Sequence, residues 1–381
     1  RVVQTVTGGG FGGKEDVPSE ICACAALAAW KTGSPVKLVY TREEDFVRSS
    51  KRHPMTVTFR LGATGDGKFT AARIRAVADA GAYATLSPVV VFRATAHATG
   101  PYEIPNVETD VYGVYTNRQT TGAFRGFGQP QVIFAGESVI DELAEALGFD
   151  PMDIRVLNCL GVGKSTATGQ ILTESVGVGE TLRVARELSD WDGKRASLRE
   201  ERARRGQVPT EKTTAGRSPG AEGDPGSSIR KGIGVASIYY GVSLGARGLP
   251  LDGSGALVNV YRDGSVRAST GGTEMGQGLL TVLTQILADG LGVSPERIVF
   301  APVDTSSVPD SGPSVASRTT LMSGNALLDA ASKIKSAMAE VAADVLGIEA
   351  EDVRFAGGRV GDDGSIVSHG FLSPDCLPML S

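Results

Sequence analysis

Of 381 residues only four are cysteine and three are histidine, and neither type falls at a metal-binding spacing. Cys22 and Cys24 are two apart, so on a helix they point in different directions and form no clamp. Cys159, Cys376, His53, His97 and His369 are scattered singly. The chain therefore carries no zinc or iron–sulfur motif of its own. Its thiols read as small buried hydrophobes and its histidines as packing or surface residues. Long apolar runs are missing as well: there is no stretch of about 18 such residues to cross a bilayer, and no charged, apolar, small-residue series at the start. Nor is there an excess of basic charge. A net charge of −5 argues against nucleic acid as the main partner. The chain reads as soluble and cytoplasmic, with a length and a 41% hydrophobic content that suit two or more domains.

Glycine, by contrast, is concentrated in loops. Thr7-Gly8-Gly9-Gly10-Phe11-Gly12-Gly13-Lys14-Glu15 cannot be a strand or helix interior, where glycine costs too much backbone entropy. The spacing of Pro18, Ile21, Ala25, Leu27, Ala28 and Trp30 then predicts a helix that stops at Gly33. Neither the triphosphate nor the dinucleotide fingerprint fits. A second loop, Thr121-Gly122-Ala123-Phe124-Arg125-Gly126-Phe127-Gly128-Gln129-Pro130-Gln131, places two aromatics and an arginine among small residues, which can wall a flat hydrogen-bonding pocket. The third, Gly271-Gly272-Thr273-Glu274-Met275-Gly276-Gln277-Gly278, again feeds an apolar helix. Two such loops point to one extended, phosphate-bearing ligand gripped from both halves, with backbone N–H groups and helix starts as the grip. A fourth, serine-rich loop from Asp304 to Ser317 precedes a long helix reaching Leu346, and its serines read as helix caps.

Between the loops, residues 35–40 and 232–240 read as strands. Residues 55–61 with 69–77, and 256–261 with 266–270, read as hairpins. The Thr41 to Asp45 cluster reads as a solvated helix start. An apolar stretch from Val89 ends in Arg93, and helical patterns occupy residues 131–147 and 152–160. Residues 192–230 turn from Lys-, Arg- and Glu-rich to Gly-, Ser- and Pro-rich, as a charged helix followed by an exposed loop would. The division expected is 1–190, a linker or insert at 191–230, and 231–381.

Taken together and in order, the first three loops resemble the molybdopterin-binding portion of the xanthine dehydrogenase family of molybdenum hydroxylases. The resemblance implies an α+β fold in which two α/β halves grip the cofactor between them. It implies a molybdenum–pterin cofactor, of mono- or dinucleotide form, whose metal is held by the pterin dithiolene and by no side chain. The activity implied is hydroxylation of an electron-poor carbon with water-derived oxygen, hydride passing to a sulfido group. Electrons would leave through 2Fe-2S clusters and FAD on partner domains or subunits. By position, Gly10, Phe11, Gly12 and Gly126 fall near the molybdenum or its pterin. Gly276, Gln277, Gly278, Ser314, Ala316 and Ser317 fall with the residues that hold the pterin. Glu15 would orient a heterocycle, Arg93 would stabilise charge on it, Phe127 would stack on it, and Arg125 would shape the cavity.

Two departures accompany the resemblance. Leu244 stands where a second stacking aromatic is usual, with Gly245 where a hydroxyl residue is usual. The family's general-base glutamate, expected after the long helix in a Gly-Glu context, is not found: Gly136-Glu137 and Gly179-Glu180 lie elsewhere. The expectation is a chain truncated at both ends, with the catalytic residue outside it. The residues favour a purine such as xanthine or hypoxanthine. Another N-heterocycle such as nicotinate, an aldehyde, or a non-catalytic cofactor-binding or assembly role are the alternatives. Phe124-Arg125-Gly126-Phe127 replaces the Cys-containing loop of carbon monoxide dehydrogenases, which argues against that substrate.

Overall fold

A proline in the first turn and Gly33 at φ 64° bracket α1 (Val17–Thr32), as the spacing predicts. The computed structural model describes residues 1–206, 231–243, 252–361 and 366–370. Leu244, Gly245, Cys376 and the Gly/Ser/Pro-rich part of the insert lie outside them. Two compact units emerge: Gly12–Tyr240, and Arg1–Phe11 with Gly241–Ser381. The first eleven residues thus cluster with the second half of the chain rather than with the helix they lead into.

In the unit Gly12–Tyr240, α1 buries none of its residues, and Cys22 and Cys24 are exposed. That corrects the expectation of buried thiols. The apolar side chains of α1 are spread round the helix instead of gathered in a stripe, so the sequence does not mark which face would be covered. Cys159 is half-buried. Residues 35–40 also depart from expectation, joining no sheet among the described residues. Their alternation suits a strand, but a strand needs a ladder partner for its backbone groups. Next, α2 (Arg42–Arg48) opens with a capping box: Glu44 N donates to Thr41 Oγ1 at 3.2 Å, and Thr41 N donates to the Glu44 carboxylate at 2.7 Å.

The expected hairpin is formed by β1 (Met55–Ala63) and β2 (Phe69–Gly81). The chain crosses over through α3 (Ser87–Ala96) and returns as β3 (Asn106–Tyr115), parallel to β2. Helices α4 (Gln129–Leu147) and α5 (Pro151–Asn158) cover the sheet, so that Phe69, Ala72 and Ile74 of β2 share a core with Ile140, Ala144 and Ile154. Beyond them, α6 (Val178–Leu188) and α7 (Trp191–Gly206) are tied in by Trp191, packed with Met152 and Leu182. The charged helix of the insert therefore belongs to this unit. Residues 232–240 form no strand; Gln129 Nε2 donates to Tyr239 O and the Tyr239 hydroxyl to Ala96 O, so side chains hold what a ladder does not.

One buried ion pair fastens this core. Arg155, fully buried, donates from Nε to Glu137 at 2.8 Å, and the Tyr102 hydroxyl donates to the same carboxylate at 2.7 Å. Burial, and then the negative charge of Glu137, push the Tyr102 hydroxyl far above its ordinary pKa. Burial opposes the charge on Arg155, but Glu137 outweighs it and the guanidinium is held more firmly protonated than usual.

The other unit repeats the plan of the first sheet. β4 (Ala256–Val260) and β5 (Val266–Thr270) form a hairpin, α8 (Leu279–Leu291) crosses over, and β6 (Ile298–Phe300) lies parallel to β5. Leu283, Leu287 and Leu291 recur at helical spacing and meet Leu327 and Ala331 of α9 (Thr319–Leu346). A small sheet of β7 (Arg354–Ala356), β8 (Arg359–Gly361) and β9 (Ile366–Gly370) follows.

Removing Arg155 strands Glu137 in a dry site, whereas neutralising Glu137 leaves Arg155 paired with Asp141 at 2.8 Å. Arg155→Met is expected to lower unfolding free energy by about 3–5 kcal/mol and Glu137→Gln by less, read by urea denaturation; a loss near zero in Arg155→Met would show that water replaces the partner.

Candidate cofactor and substrate site

Residues 1–5 run extended beside residues 303–305. Gln4 N donates to Val303 O at 2.9 Å and Thr305 N to Val2 O at 3.1 Å. Arg1 Nε reaches the Asp304 carboxylate at 2.9 Å. Hydrogen bonds from Arg1 first, then from the N–H and hydroxyl of Ser306, hold the Asp304 carboxyl well below the usual range. Gln4 Nε2 also donates to Glu274 O at 2.7 Å. These ties bring the first glycine loop to the third: a Cβ on Gly10 would lie 2.9 Å from Met275 Sδ, so the two loops touch there. Phe11 follows at φ 51° and is 63% exposed, an unusual backbone and an unusual exposure for a bulky residue.

The third loop differs from its sequence reading in one respect. The N-terminus of α8 is occupied by the chain itself, because Gly276 N donates to Glu274 Oε1 at 2.7 Å, Gly278 N to the same oxygen at 3.2 Å, and Leu280 N to Oε2 at 3.2 Å. Burial works against the Glu274 charge, but these amides prevail and hold its carboxyl below the ordinary value. Gln277 is likewise turned onto its own loop, accepting from Met275 N at 2.6 Å and donating to Thr273 O at 2.8 Å. Gly276 and Gly278 have φ of 98° and 79°, and a Cβ on either would meet nothing within 4 Å. Glycine here serves the backbone and leaves open space beside it.

The serine-rich loop does not cap α9 by a side chain. Its serines brace the third loop instead: Thr273 N donates to Ser314 Oγ at 2.8 Å, and Gly271 N to Ser311 Oγ at 2.8 Å. Ala316 and Ser317 stand at φ 53° and 54°. Fully buried Arg318 fixes them from below, with Nε on Asp252 at 3.1 Å and Nη1 on Pro313 O at 2.7 Å.

In the unit Gly12–Tyr240, Gly12 abuts the second loop; a Cβ there would sit 2.9 Å from Phe124 N. Phe127 has φ 51° and donates from N to Phe124 O at 2.7 Å, leaving its ring half-buried. Gly126 shares a tight turn with Pro130. The Arg125 side chain is exposed, while its carbonyl accepts from Arg52 Nη2 at 2.8 Å and Arg52 lies 4.4 Å from the Phe124 ring centre. Arg93, at 4% exposure on α3, faces the Tyr240 ring at 4.9 Å. Glu15 is an exposed residue, yet protein around its carboxyl, and then repulsion from Asp16, raises that group from 4.5 to about 7. Its charge is felt in turn by Tyr240, whose hydroxyl is raised by burial first, against the opposing charge of Arg93, with Glu15 adding to the rise.

Glu15, Arg93 and Phe127 therefore fall in one unit, together with Gly12 and Gly126 of the expected cofactor residues, while Gly10, Phe11, Gly276, Gln277, Gly278, Ser314, Ala316 and Ser317 fall in the other. Tyr240, His97, Arg52, Glu274 and Arg318 were not singled out from sequence. His97 could have been, since it lies one helical turn after Arg93. Glu274, just ahead of an apolar helix, carries the N-terminal acid signature.

Residues 1–159 and 210–369 each match the molybdopterin cofactor-binding domain. The chain belongs to that family. It is 52% identical over 187 residues to the nicotinate dehydrogenase large molybdopterin subunit of Eubacterium barkeri, covering 49% of this chain and 44% of that one. Over 353 residues it is 35% identical to a probable xanthine dehydrogenase subunit of Bacillus subtilis, covering 93% of this chain and 43% of the other. Among solved structures, Cu,Mo-CO dehydrogenase superposes with a TM-score of 0.78 at 26% identity, over 95% of this chain and 45% of that one. Quinoline 2-oxidoreductase from Pseudomonas putida 86 gives 0.77 at 25% identity, over 95% and 44%. The chain spans less than half the length of these relatives. The mixed helix-and-strand fold is that of molybdopterin-binding proteins, and the open backbone at Gly276 and Gly278, with left-handed Ala316 and Ser317 nearby, fits a group that approaches main chain closely.

Two outcomes follow from these environments. Glu274→Ala removes the acceptor of three backbone amides and is expected to cost about 1–2 kcal/mol, measured as a lowered urea midpoint. Glu15 keeps its proton in the folded state up to about pH 7 but loses it near 4.5 when unfolded. Its contribution to stability is thus complete below pH 4.5 and lost as pH rises to 7. Glu15→Gln should flatten that part of the stability–pH curve; an unaltered slope would place the titration elsewhere.

Proposed function

We propose that this chain is the molybdopterin-binding part of an oxidoreductase that hydroxylates a purine-like N-heterocycle, xanthine and hypoxanthine being the favoured class. The observation that carries this reading is the Arg93 guanidinium, buried and facing the Tyr240 ring at 4.9 Å, in the same unit as Glu15, whose carboxyl is raised to about 7. A half-buried phenylalanine, Phe127, is available for a ring face. When bound, the molybdenum–pterin group supplies the two-electron acceptor and the oxygen to be transferred.

The side chains of this unit handle the substrate. Glu15, neutral below about pH 7, donates its carboxyl proton to a ring nitrogen, or as carboxylate accepts from a ring N–H. Arg93 stabilises negative charge as it develops on the ring, which helps the transition state more than the ground state. In the other unit, Gly276, Gly278, Ser314, Ala316 and Ser317 hold the pterin by close main-chain approach, and Gln277 joins them by exchanging its bonds to Met275 N and Thr273 O for the ligand. No described residue takes the general-base role. Iron–sulfur and FAD partners complete the electron path, and the enzyme works in the cytoplasm.

A second reading, nicotinate as substrate, is favoured by the 52% identity to the Eubacterium barkeri subunit. The protein purified with its native partners should contain near-stoichiometric molybdenum and pterin, and should oxidise xanthine and hypoxanthine in preference to nicotinate and an aldehyde. Glu15→Ala and Arg93→Gln should each lower purine kcat/KM by about 10²–10³-fold. Purine turnover unchanged in both variants would rule the purine reading out. Absence of metal and pterin from the purified complex would leave a non-catalytic assembly role.

A further inference from the structure

Arg93 and His97 lie four residues apart and therefore on one side of α3, and both are almost fully buried. The His97 ring donates from Nδ1 to Arg93 O at 2.9 Å. Burial lowers the His97 pKa, assisted by the Arg93 charge and opposed by that carbonyl, so the ring is neutral near pH 7. Tyr240 stacks on this ring with centres 5.3 Å apart and planes 21° apart. The Arg93 guanidinium lies 4.9 Å from the centre of the same Tyr240 ring.

Tyr240 is itself anchored from behind. Its neighbour Tyr239 donates to Ala96 O at 3.1 Å, accepts from Gln129 at its own carbonyl, and packs on His97 with ring centres 5.1 Å apart. The two tyrosines thus clip residues 239–240 onto the end of α3. An arginine side chain has several rotatable bonds and much rotamer entropy to lose. A flat, anchored aromatic face removes that freedom before a substrate arrives, and does so without neutralising the charge, as a carboxylate partner would.

We propose that Tyr240 is the positioning residue for Arg93: its ring, backed by His97, fixes the guanidinium plane at which charge on the heterocycle is stabilised. This inference rests on the assignment of Arg93 as the partner of the substrate's developing charge. It also assigns a role to a segment that forms no strand, and it makes the aromatic at 240 a determinant of how the ring is held.

The test uses the complex with its native partners and two independent readouts. Tyr240→Phe keeps the ring face and should leave kcat/KM for the heterocycle within about twofold, whereas Tyr240→Leu should lower it about 10–50-fold, mostly in kcat. Combined with Arg93→Gln, Tyr240→Leu should cost nothing further, because the residue it positions is gone. The second readout needs no turnover. Arg93 should resist phenylglyoxal in the wild type and in Tyr240→Phe, and react in Tyr240→Leu, while buried Arg155 stays protected in all three as the control for folding. Tyr240→Met, of similar reach but without a ring face, substitutes if the leucine variant does not fold. Additive losses in the double variant, or Arg93 still protected in Tyr240→Leu, would overturn the proposal. Should the wild type oxidise no heterocycle while Arg93 loses protection in Tyr240→Leu, the proposed function fails and the positioning stands.

Discussion

Left-handed backbone at residues that are not glycine is the constraint on which these loops depend. Phe11, Phe127, Ala316 and Ser317 all stand at φ between 51° and 54°. Such conformations cost on the order of 1–3 kcal/mol each and persist only where the surroundings impose them. The surroundings can be named. Phe127 is closed by its bond to Phe124 O, with Arg52 stacked on Phe124 and bonded to Arg125 O. Ala316 is pinned by Ser243 N donating to its carbonyl at 2.9 Å, and Arg318 ties the chain on either side. Strain of this kind recurs in the loops whose residues resemble cofactor and substrate binders, and is rare in the sheets that carry them.

The two units explain how the loops come to be presented. Each contains a hairpin, a crossover helix and a third strand parallel to the second. In one unit the connection from β5 to α8 is the third glycine loop; in the other, the connection from β2 leads into α3, which carries Arg93 and is followed directly by His97. Chemistry-bearing groups thus follow the carboxyl end of a central strand in both, the place where crossover connections leave room for ligands. On the proposed reading the same architecture is put to two uses, main-chain approach in one unit and charged or aromatic side chains in the other.

Much of this was legible in the sequence because the signals were local. Glycine density marked the loops, period-two runs marked the hairpins, and Gly33 closed α1 where the spacing placed the stop. The failures share another cause. Residues 35–40 and 232–240 have the composition of strands, but pairing is a property of two segments, and neither finds a ladder among the described residues. Cys22 and Cys24 were misjudged because burial depends on what covers a helix, and nothing in the apolar content of α1 states which face is covered. Tyr240 escaped for a similar reason, since its meaning comes from α3, more than 140 residues away in the chain.

Under the proposed assignment of Arg93 and Glu15 to the substrate, their arrangement also bears on substrate class. A guanidinium held on an aromatic face keeps its full charge, and a ligand can use that charge at one of two moments. A nicotinate-like molecule arrives with a formed carboxylate, pairs with Arg93 on binding, and gains no extra stabilisation as the ring reacts, so its benefit appears in KM. A purine arrives neutral and accumulates negative charge only as the electron-poor carbon is attacked, so its benefit appears in kcat. Glu15, poised near pH 7, adds to the second case by exchanging a proton with a ring nitrogen, and opposes the first once ionised, because a second carboxylate then repels the ligand's own. The pair Glu15 and Arg93 is therefore better matched to a neutral ring that becomes anionic than to an anion that is already one.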